Sequence, residues 1–219
     1  MSKVIVITGA GAGLGRALAR RFAGDGEHVV LLGRGGAKVQ AVAQELGSRA
    51  LALECDVSSP DAVRAAFQVI AERHPKIDVL INNAAFYVPF LIAEASDEQI
   101  LRILGTNLTG PILCARAAIP HMVRGGHIIN VSSESVAMKF PHLVLYQTSK
   151  AGLERFSEGL QHELEASGIK VTLLRAGSMY EEGKKWEIEP AVALRFAQAA
   201  LAAGINLRER PLSHYTSIT

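Results

Sequence analysis

Short runs rich in β-branched residues alternate with longer amphipathic segments along the whole chain. The runs fall at 4–7, 28–32, 50–53, 79–81, 127–131, 171–174 and, more weakly, 205–207. After the first, Leu14, Leu18 and Phe22 recur at four-residue spacing and stop at Gly24-Asp25-Gly26. Val39, Val42 and Leu46 follow the next run and stop at Gly47, and Ser58 offers an N-cap for a segment carrying Val63, Phe67 and Ile70. Helical patterns then cover about 96–122, 143–167 and 189–203. Strict alternation predicts βαβ units and a parallel sheet covered on both faces. No linker, charge run, low-complexity tract or repeat divides 1–219. The expected fold is a single-domain α/β chain, Rossmann-like, with a doubly wound parallel sheet. Ligands of such sheets bind beyond the carboxyl ends of the strands, near the point where strand order reverses.

Composition narrows the function. With 49% apolar residues the chain can bury a core, and 23 basic against 21 acidic residues leave a net charge of only +2. Neither a charge excess nor basic residues interleaved with aromatics points to nucleic acid. The longest apolar runs, 84–88 and 199–203, fall far short of the ~20 residues a spanning helix needs, so no membrane partner is expected. No signal-peptide pattern opens the chain, and Cys55 and Cys114 cannot build a disulfide framework. Both features point to a reducing, cytoplasmic setting. The seven histidines show no metal-ligand spacing, so no metal is expected, and no G-x-S-x-G elbow marks a serine hydrolase.

Directly after the first run stands Thr8-Gly9-Ala10-Gly11-Ala12-Gly13-Leu14-Gly15, opening a helix. The spacing G-x-x-x-G-x-G fits Gly9, Gly13 and Gly15, whereas G-x-G-x-x-G fits no register. Glycines here permit a tight turn, close approach of backbone N–H groups to a pyrophosphate, and close helix–strand packing. Without a following Gly-Lys-Ser/Thr a P-loop is excluded. A nucleotide-dependent methyltransferase wants an acid after the second strand, where this chain has Gly33-Arg34.

Tyr146 and Lys150 stand at i and i+4, on one helix face. A phenol titrating near ~10 exchanges protons poorly at neutral pH, and an adjacent ammonium is expected to lower that value. Ser133, just past the fifth run, can donate its hydroxyl to a carbonyl oxygen.

TGAGAGLG at 8–15, CDV at 55–57, NNA at 82–84, Asn107 in TNLTG, INVSS at 129–133 and YQTSK at 146–150 stand in an order and spacing that resemble the short-chain dehydrogenase/reductase family, over roughly 3–177. The resemblance implies an NAD(P)-dependent interconversion of a carbonyl and an alcohol. Tyr146 would be the proton donor in reduction, Lys150 its electrostatic partner and a ligand of the nicotinamide ribose, and Ser133 the group polarising the carbonyl. Asn107 would hold a water of the proton relay, or else bridge a kink in its long helix. Ser132 takes the place of Ser133 if the register slips. Cofactor contacts would come from Gly9, Gly11, Ala12, Gly13, Leu14, Gly15, Arg34, Asp56, Val57, Asn83, Ala84, Tyr146, Lys150 and Gly177. Asp56 would meet the adenine amino group, or else simply open the next loop. Asn82 would tie strand ends together.

Three departures from the family pattern bear on function. Ala85 replaces the usual glycine, Ala176 the usual proline, and Glu181 the threonine that would hold the nicotinamide carboxamide. Length departs as well: the expected substrate lid, 178–188, is short, with Met179, Tyr180 and Trp186 as its apolar residues. They keep open a second reading, a cofactor-binding regulatory or structural member without turnover. Phe86, Tyr87, Val88, Val136, Met138, Phe140, Leu143 and Met179 are expected to line an apolar substrate pocket.

Gly33 stands where an NAD-selective site carries a carboxylate, followed by Arg34 with Lys38 one turn on. An arginine can grip a 2′-phosphate bidentately, so NADP(H) is expected over NAD(H), although Ala12 stands where many NADP-using relatives carry a second basic residue. Surplus apolar residues at Leu101, Leu104, Leu108, Ile112 and Ala115 imply a partner face, and the family resemblance implies a homodimer or homotetramer.

Overall fold

A computed structural model describes residues 2–177, 179–180, 188–205 and 210–211. Six parallel strands form the main sheet: β1 (Val4–Thr8), β2 (His28–Gly33), β3 (Ala50–Glu54), β4 (Ile77–Asn82), β5 (Met122–Ser133) and β6 (Lys170–Ala176). Their order is β3-β2-β1-β4-β5-β6, so β3 and β6 are the edges and the order reverses between β1 and β4. The connecting helices are α1 (Gly13–Gly24), α2 (Gly36–Leu46), α3 (Pro60–Arg73), α4 (Asp97–Leu104), α5 (Gly110–Ala118) and α6 (Val144–Leu164). A two-residue strand β7 (Met179–Tyr180), helix α7 (Pro190–Ala202) and a second short strand β8 (Arg210–Pro211) complete the described chain, with β7 paired to β8.

The β1 sequence shows why the sheet is double-sided. Val4 and Val6 face one core with Phe67, Ile70, Cys114 and Leu160 from α3, α5 and α6. Ile5 and Ile7 face the other, with Ala19, Val39 and Val42 from α1 and α2. Alternate side chains of one strand thus feed two cores, which is why the run reads as continuously apolar. Both cysteines are free and buried. Among the described residues no helix is long and apolar enough to cross a membrane, and no cluster of three or more His, Cys, Asp or Glu could hold a metal ion.

Several boundaries differ from the sequence-based expectation. The N-cap of α3 is Ser59, not Ser58: its side chain accepts from Ala62 N–H at 3.3 Å, and Pro60 takes the first helical position. The helix expected at 96–122 opens on a capping box of Ser96 and Gln99 but is interrupted by a π-helical turn, Gly105–Thr109, between α4 and α5. Pro120 then sits in a 3₁₀ turn, Ile119–His121, and β5 starts at Met122, five residues before the apolar run HII. The sequence pattern missed that start because Gly125 and Gly126 break its apolar character. Of the weak run at 205–207, residues 206–207 lie outside the described residues.

Candidate active site

The glycine loop turns sharply off the end of β1. Gly9 and Gly13 adopt φ of +68° and +54°, a region that side chains with a Cβ rarely enter. A Cβ on Gly15 would run into the Gly9 carbonyl and stand 2.7 Å from Asn83 Nδ2, so helix α1 can approach β1 only through glycine. Ala12 is the N-cap of α1 and makes no side-chain cap hydrogen bond, so no capping oxygen covers the positive end of the helix dipole. Across the switch point, the Thr8 hydroxyl accepts from the N–H groups of Asn83 and Ala84 at 3.0 and 2.9 Å. Asn83 Nδ2 donates to the carbonyl oxygens of Thr8 and Gly9 at 3.0 and 3.4 Å. These bonds lock the glycine loop to the loop after β4. Thr8 was not singled out from the sequence; its place as the last residue of β1 was the available signal.

A cleft of about 370 Å³ opens at this point and is lined by Gly9, Ala12, Gly13, Leu14, Asn83, Ala84, Ala85, Val131, Ser132, Ser133, Tyr146, Lys150, Ala176, Gly177 and Met179. The glycine cradle and the Tyr–Lys pair therefore share one cavity, and the N-terminus of α1, which no side chain caps, suits a pyrophosphate. Five of the expected cofactor residues stand elsewhere. Gly11 faces α2, where a Cβ would meet Lys38 Cβ at 3.0 Å, and Gly15 is buried behind the loop. Arg34 is exposed past the end of β2, Val57 is buried in the core, and Asp56 Oδ1 accepts from the N–H and hydroxyl of Ser58 at 2.9 and 2.7 Å. That turn opens the loop into α3.

Gly33 is itself required by packing, since a Cβ there would stand 2.8 Å from Val39 Cγ1. Its partner on the neighbouring strand is Glu54, whose carboxylate occupies the space in front of Gly36 at the start of α2. The carboxylate that β2 lacks thus has a counterpart on the neighbouring strand β3.

Ser133 is the last residue of β5. Its Oγ lies 2.9 Å from Ser135 Oγ and accepts from Ser135 N–H at 3.2 Å, and its hydroxyl also hydrogen-bonds Tyr146. Ser132 points elsewhere: its Oγ donates to Glu154 Oε1 at 2.8 Å. Glu154 also receives Arg175 through Nε at 2.9 Å and a terminal nitrogen at 2.6 Å, and the guanidinium and the Ser132 hydroxyl hold its carboxyl below the usual range. Tyr146, Lys150 and Glu154 form one stripe of α6, so spacing alone could have exposed this third member.

Lys150 is 2% exposed, and its Nζ donates to Val131 O at 2.7 Å. Burial pushes its pKa down to about 8. The ammonium lies 5.9 Å from the Tyr146 ring centroid. Burial pushes the Tyr146 phenol up, opposed by the Ser133 hydrogen bond. This differs from the expectation that the lysine lowers the tyrosine: Lys150 is buried and Tyr146 half-buried, and the loss of water outweighs an ammonium 5.9 Å from the ring centre.

Asn107 is fully buried in the π-helical turn. Its Oδ1 accepts from Phe86 N–H at 2.7 Å, and its Nδ2 donates to Phe86 O at 2.9 Å and Ser149 Oγ at 3.1 Å. The residue bridges a helix distortion to the loop after β4. Asn82 ties strands, donating to Asn130 Oδ1 at 2.9 Å, while Asn130 donates to Ser157 Oγ at 2.8 Å. Glu181 and Trp186 lie outside the described residues. Of the eight residues expected around the substrate, Met179 lines the cleft; Leu143 is buried, and Phe86 lies under the Arg102 guanidinium at 3.9 Å.

Residues 3–187 match the family described as short chain dehydrogenase. Carbonyl reductase family member 4 of Danio rerio is 34% identical over 184 residues, covering 83% of this chain and 78% of the relative. A short chain dehydrogenase/reductase from Burkholderia phymatum, solved in complex with NAD, superposes with a TM-score of 0.82 at 25% identity, over 95% of this chain and 81% of its own. A blue fluorescent protein from a metagenomic library, solved with NADPH, gives 0.78 at 30% identity, over 88% and 81%. On the matched residues and the shared six-strand architecture, the chain belongs to the short-chain dehydrogenase/reductase family of NAD(P)-binding oxidoreductases.

Proposed function

We propose that this protein interconverts a ketone or aldehyde with the corresponding alcohol, using NADP(H) in preference to NAD(H). The observation that carries the reading is the convergence of Ser133, Tyr146 and Lys150 with the glycine cradle on one cleft. When bound there, the dinucleotide supplies or accepts hydride. Tyr146 delivers the proton to the carbonyl oxygen in reduction and takes it back in oxidation. Its raised pKa keeps the phenol protonated at neutral pH, the form a donor needs. Ser133, fixed by Ser135, polarises the carbonyl oxygen. Lys150, with a pKa of about 8, carries most of its charge at neutral pH and stabilises the phenolate as the proton leaves. Asn107 acts by position, holding Ser149, which precedes Lys150, against the loop at Phe86.

Arg34 and Lys38 are both exposed beside the end of β2 and suit a 2′-phosphate; Glu54 opposes them. Leu101, Ile112 and Val144 leave an apolar face on α4, α5 and α6 that suits a homodimer or homotetramer. Ala115, by contrast, is core, and Leu108 packs on Gly152 of α6. Titrating NADPH and NADH by fluorescence, then assaying carbonyls and alcohols by cofactor absorbance, tests the reading. Cofactor binding without turnover of any carbonyl or alcohol overturns it in favour of a regulatory role.

A further inference from the structure

A chain of aromatic rings runs from Tyr146 to α7. Tyr146 and Tyr87 meet edge to face, centroids 5.1 Å apart at 87°. Tyr87 meets Phe196 at 6.4 Å and 80°, and Phe196 stacks on Phe140 at 6.1 Å and 16°. Phe196 comes from the middle of α7 and is 2% exposed, seated between the loop after β4 and the loop before α6. Next to it, Arg195 grips Glu94 through two nitrogens at 3.2 and 2.7 Å, fastening α7 to the chain after β4. The two loops are themselves joined, Phe90 N–H donating to His142 O at 2.9 Å.

Tyr87 and Phe140 stand where a substrate pocket was expected, yet neither lines the cleft. Among the described residues the cleft around Tyr146 is bounded on that side by Ala85, Ser133, Ala176, Gly177 and Met179. Its roughly 370 Å³ must take the inner part of a dinucleotide as well as the carbonyl compound. Beside Tyr146 stands the Tyr87 ring, backed by Phe196 and, through it, Phe140.

Resting on the oxidoreductase reading above, we infer that Phe196, seated on Tyr87 and Phe140, plugs the substrate side of the site and restricts the enzyme to small carbonyl compounds, short aldehydes and ketones of a few heavy atoms. An aryl ketone beside Tyr146 meets the Tyr87 ring, which Phe196 and Phe140 hold from behind, rather than an open wall. Removing that ring leaves Tyr146, Ser133 and the cradle untouched and opens a slot of aryl shape between Tyr87 and Phe140.

The test compares wild type, Phe196→Ala and the milder Phe196→Leu, each saturated with cofactor. One measurement is kcat/KM for butanone and for acetophenone; the other is the dissociation constant of acetamide and of benzamide, unreactive mimics of a small and an aryl carbonyl. Wild type should favour butanone and bind acetamide in preference to benzamide. Phe196→Ala should raise the aryl-to-small ratio by about tenfold or more in both measurements, with Phe196→Leu between. The NADPH dissociation constant should stay within about twofold, since no cradle residue changes. A wild type that reduces acetophenone as efficiently as butanone, or a ratio unchanged in both variants, overturns the plug. If no variant turns over any carbonyl, the amide measurement still decides. Benzamide binding gained on removing Phe196 sustains the plug while the oxidoreductase reading falls, and no gain rejects the plug itself.

Discussion

Replacing Lys150 by Met should make the protein more stable and inactive at once. In the folded chain Lys150 is 2% exposed and its pKa falls from 10.5 to about 8. Between those values the unfolded chain still holds a proton that the folded chain has released, so wild-type stability rises with pH across that window. Below it the full penalty applies, about 3 kcal/mol near pH 7. Methionine removes the charge and keeps a similar length, but it forfeits the bond from Nζ to Val131 O, a loss of about 1 kcal/mol. The variant should therefore be more stable by about 2 kcal/mol near pH 7, with most of that advantage lost by about pH 9.5. Urea unfolding of both proteins at several pH values measures the difference directly, and groups common to both cancel. A difference that is flat with pH, or a variant less stable at neutral pH, would refute the claim that burial depresses this lysine.

Four further outcomes are expected. Tyr146→Phe should lower turnover by about 10²–10⁴-fold while leaving NADPH affinity, read by fluorescence titration, nearly unchanged. In wild type, kcat/KM for reduction should fall as pH rises through about 8, because the charged form of Lys150 is the one that stabilises the phenolate; Lys150→Arg should move that fall beyond the measurable range if it retains activity. Arg34→Ala should weaken NADPH by about 10–100-fold and leave NADH alone, whereas Glu54→Gln should tighten NADPH, both read by isothermal titration. Asn107→Ala should cost about 2 kcal/mol in urea unfolding, since it leaves two half-buried backbone groups of Phe86 without their partner and removes the donor to the Ser149 hydroxyl, which keeps its own bond to Tyr146 O.

The sheet and its order of helices were legible because both cores draw on one continuous apolar pattern, Val4 and Val6 for one and Ile5 and Ile7 for the other. The proton-donating end of the site was legible for a related reason: Tyr146 and Lys150 are four residues apart on one helix, and Ser133 ends a strand. The π-helical turn was not, because GTNLT reads as ordinary helix and its cause, Asn107 bonding Phe86, spans a loop. The rise in the Tyr146 pKa was equally hidden, since burial is a property of the packed cleft. Glu154 and Glu54 were in plain sight as charges, but their partners come from other strands and helices.

Among the described residues β6 is the last strand of the sheet, and its outer edge pairs with none of them. Its row of N–H and C=O groups is a template on which another extended chain could grow, and Leu174, 41% exposed, would welcome it. Two cations stand guard along that edge: Lys170 at its start and Arg175, which Glu154 holds in place near its end. A second copy laid antiparallel would bring Lys170 toward its own Arg175, like charge against like. Lys170→Val removes one of these charges and should raise the turbidity of the protein on concentration.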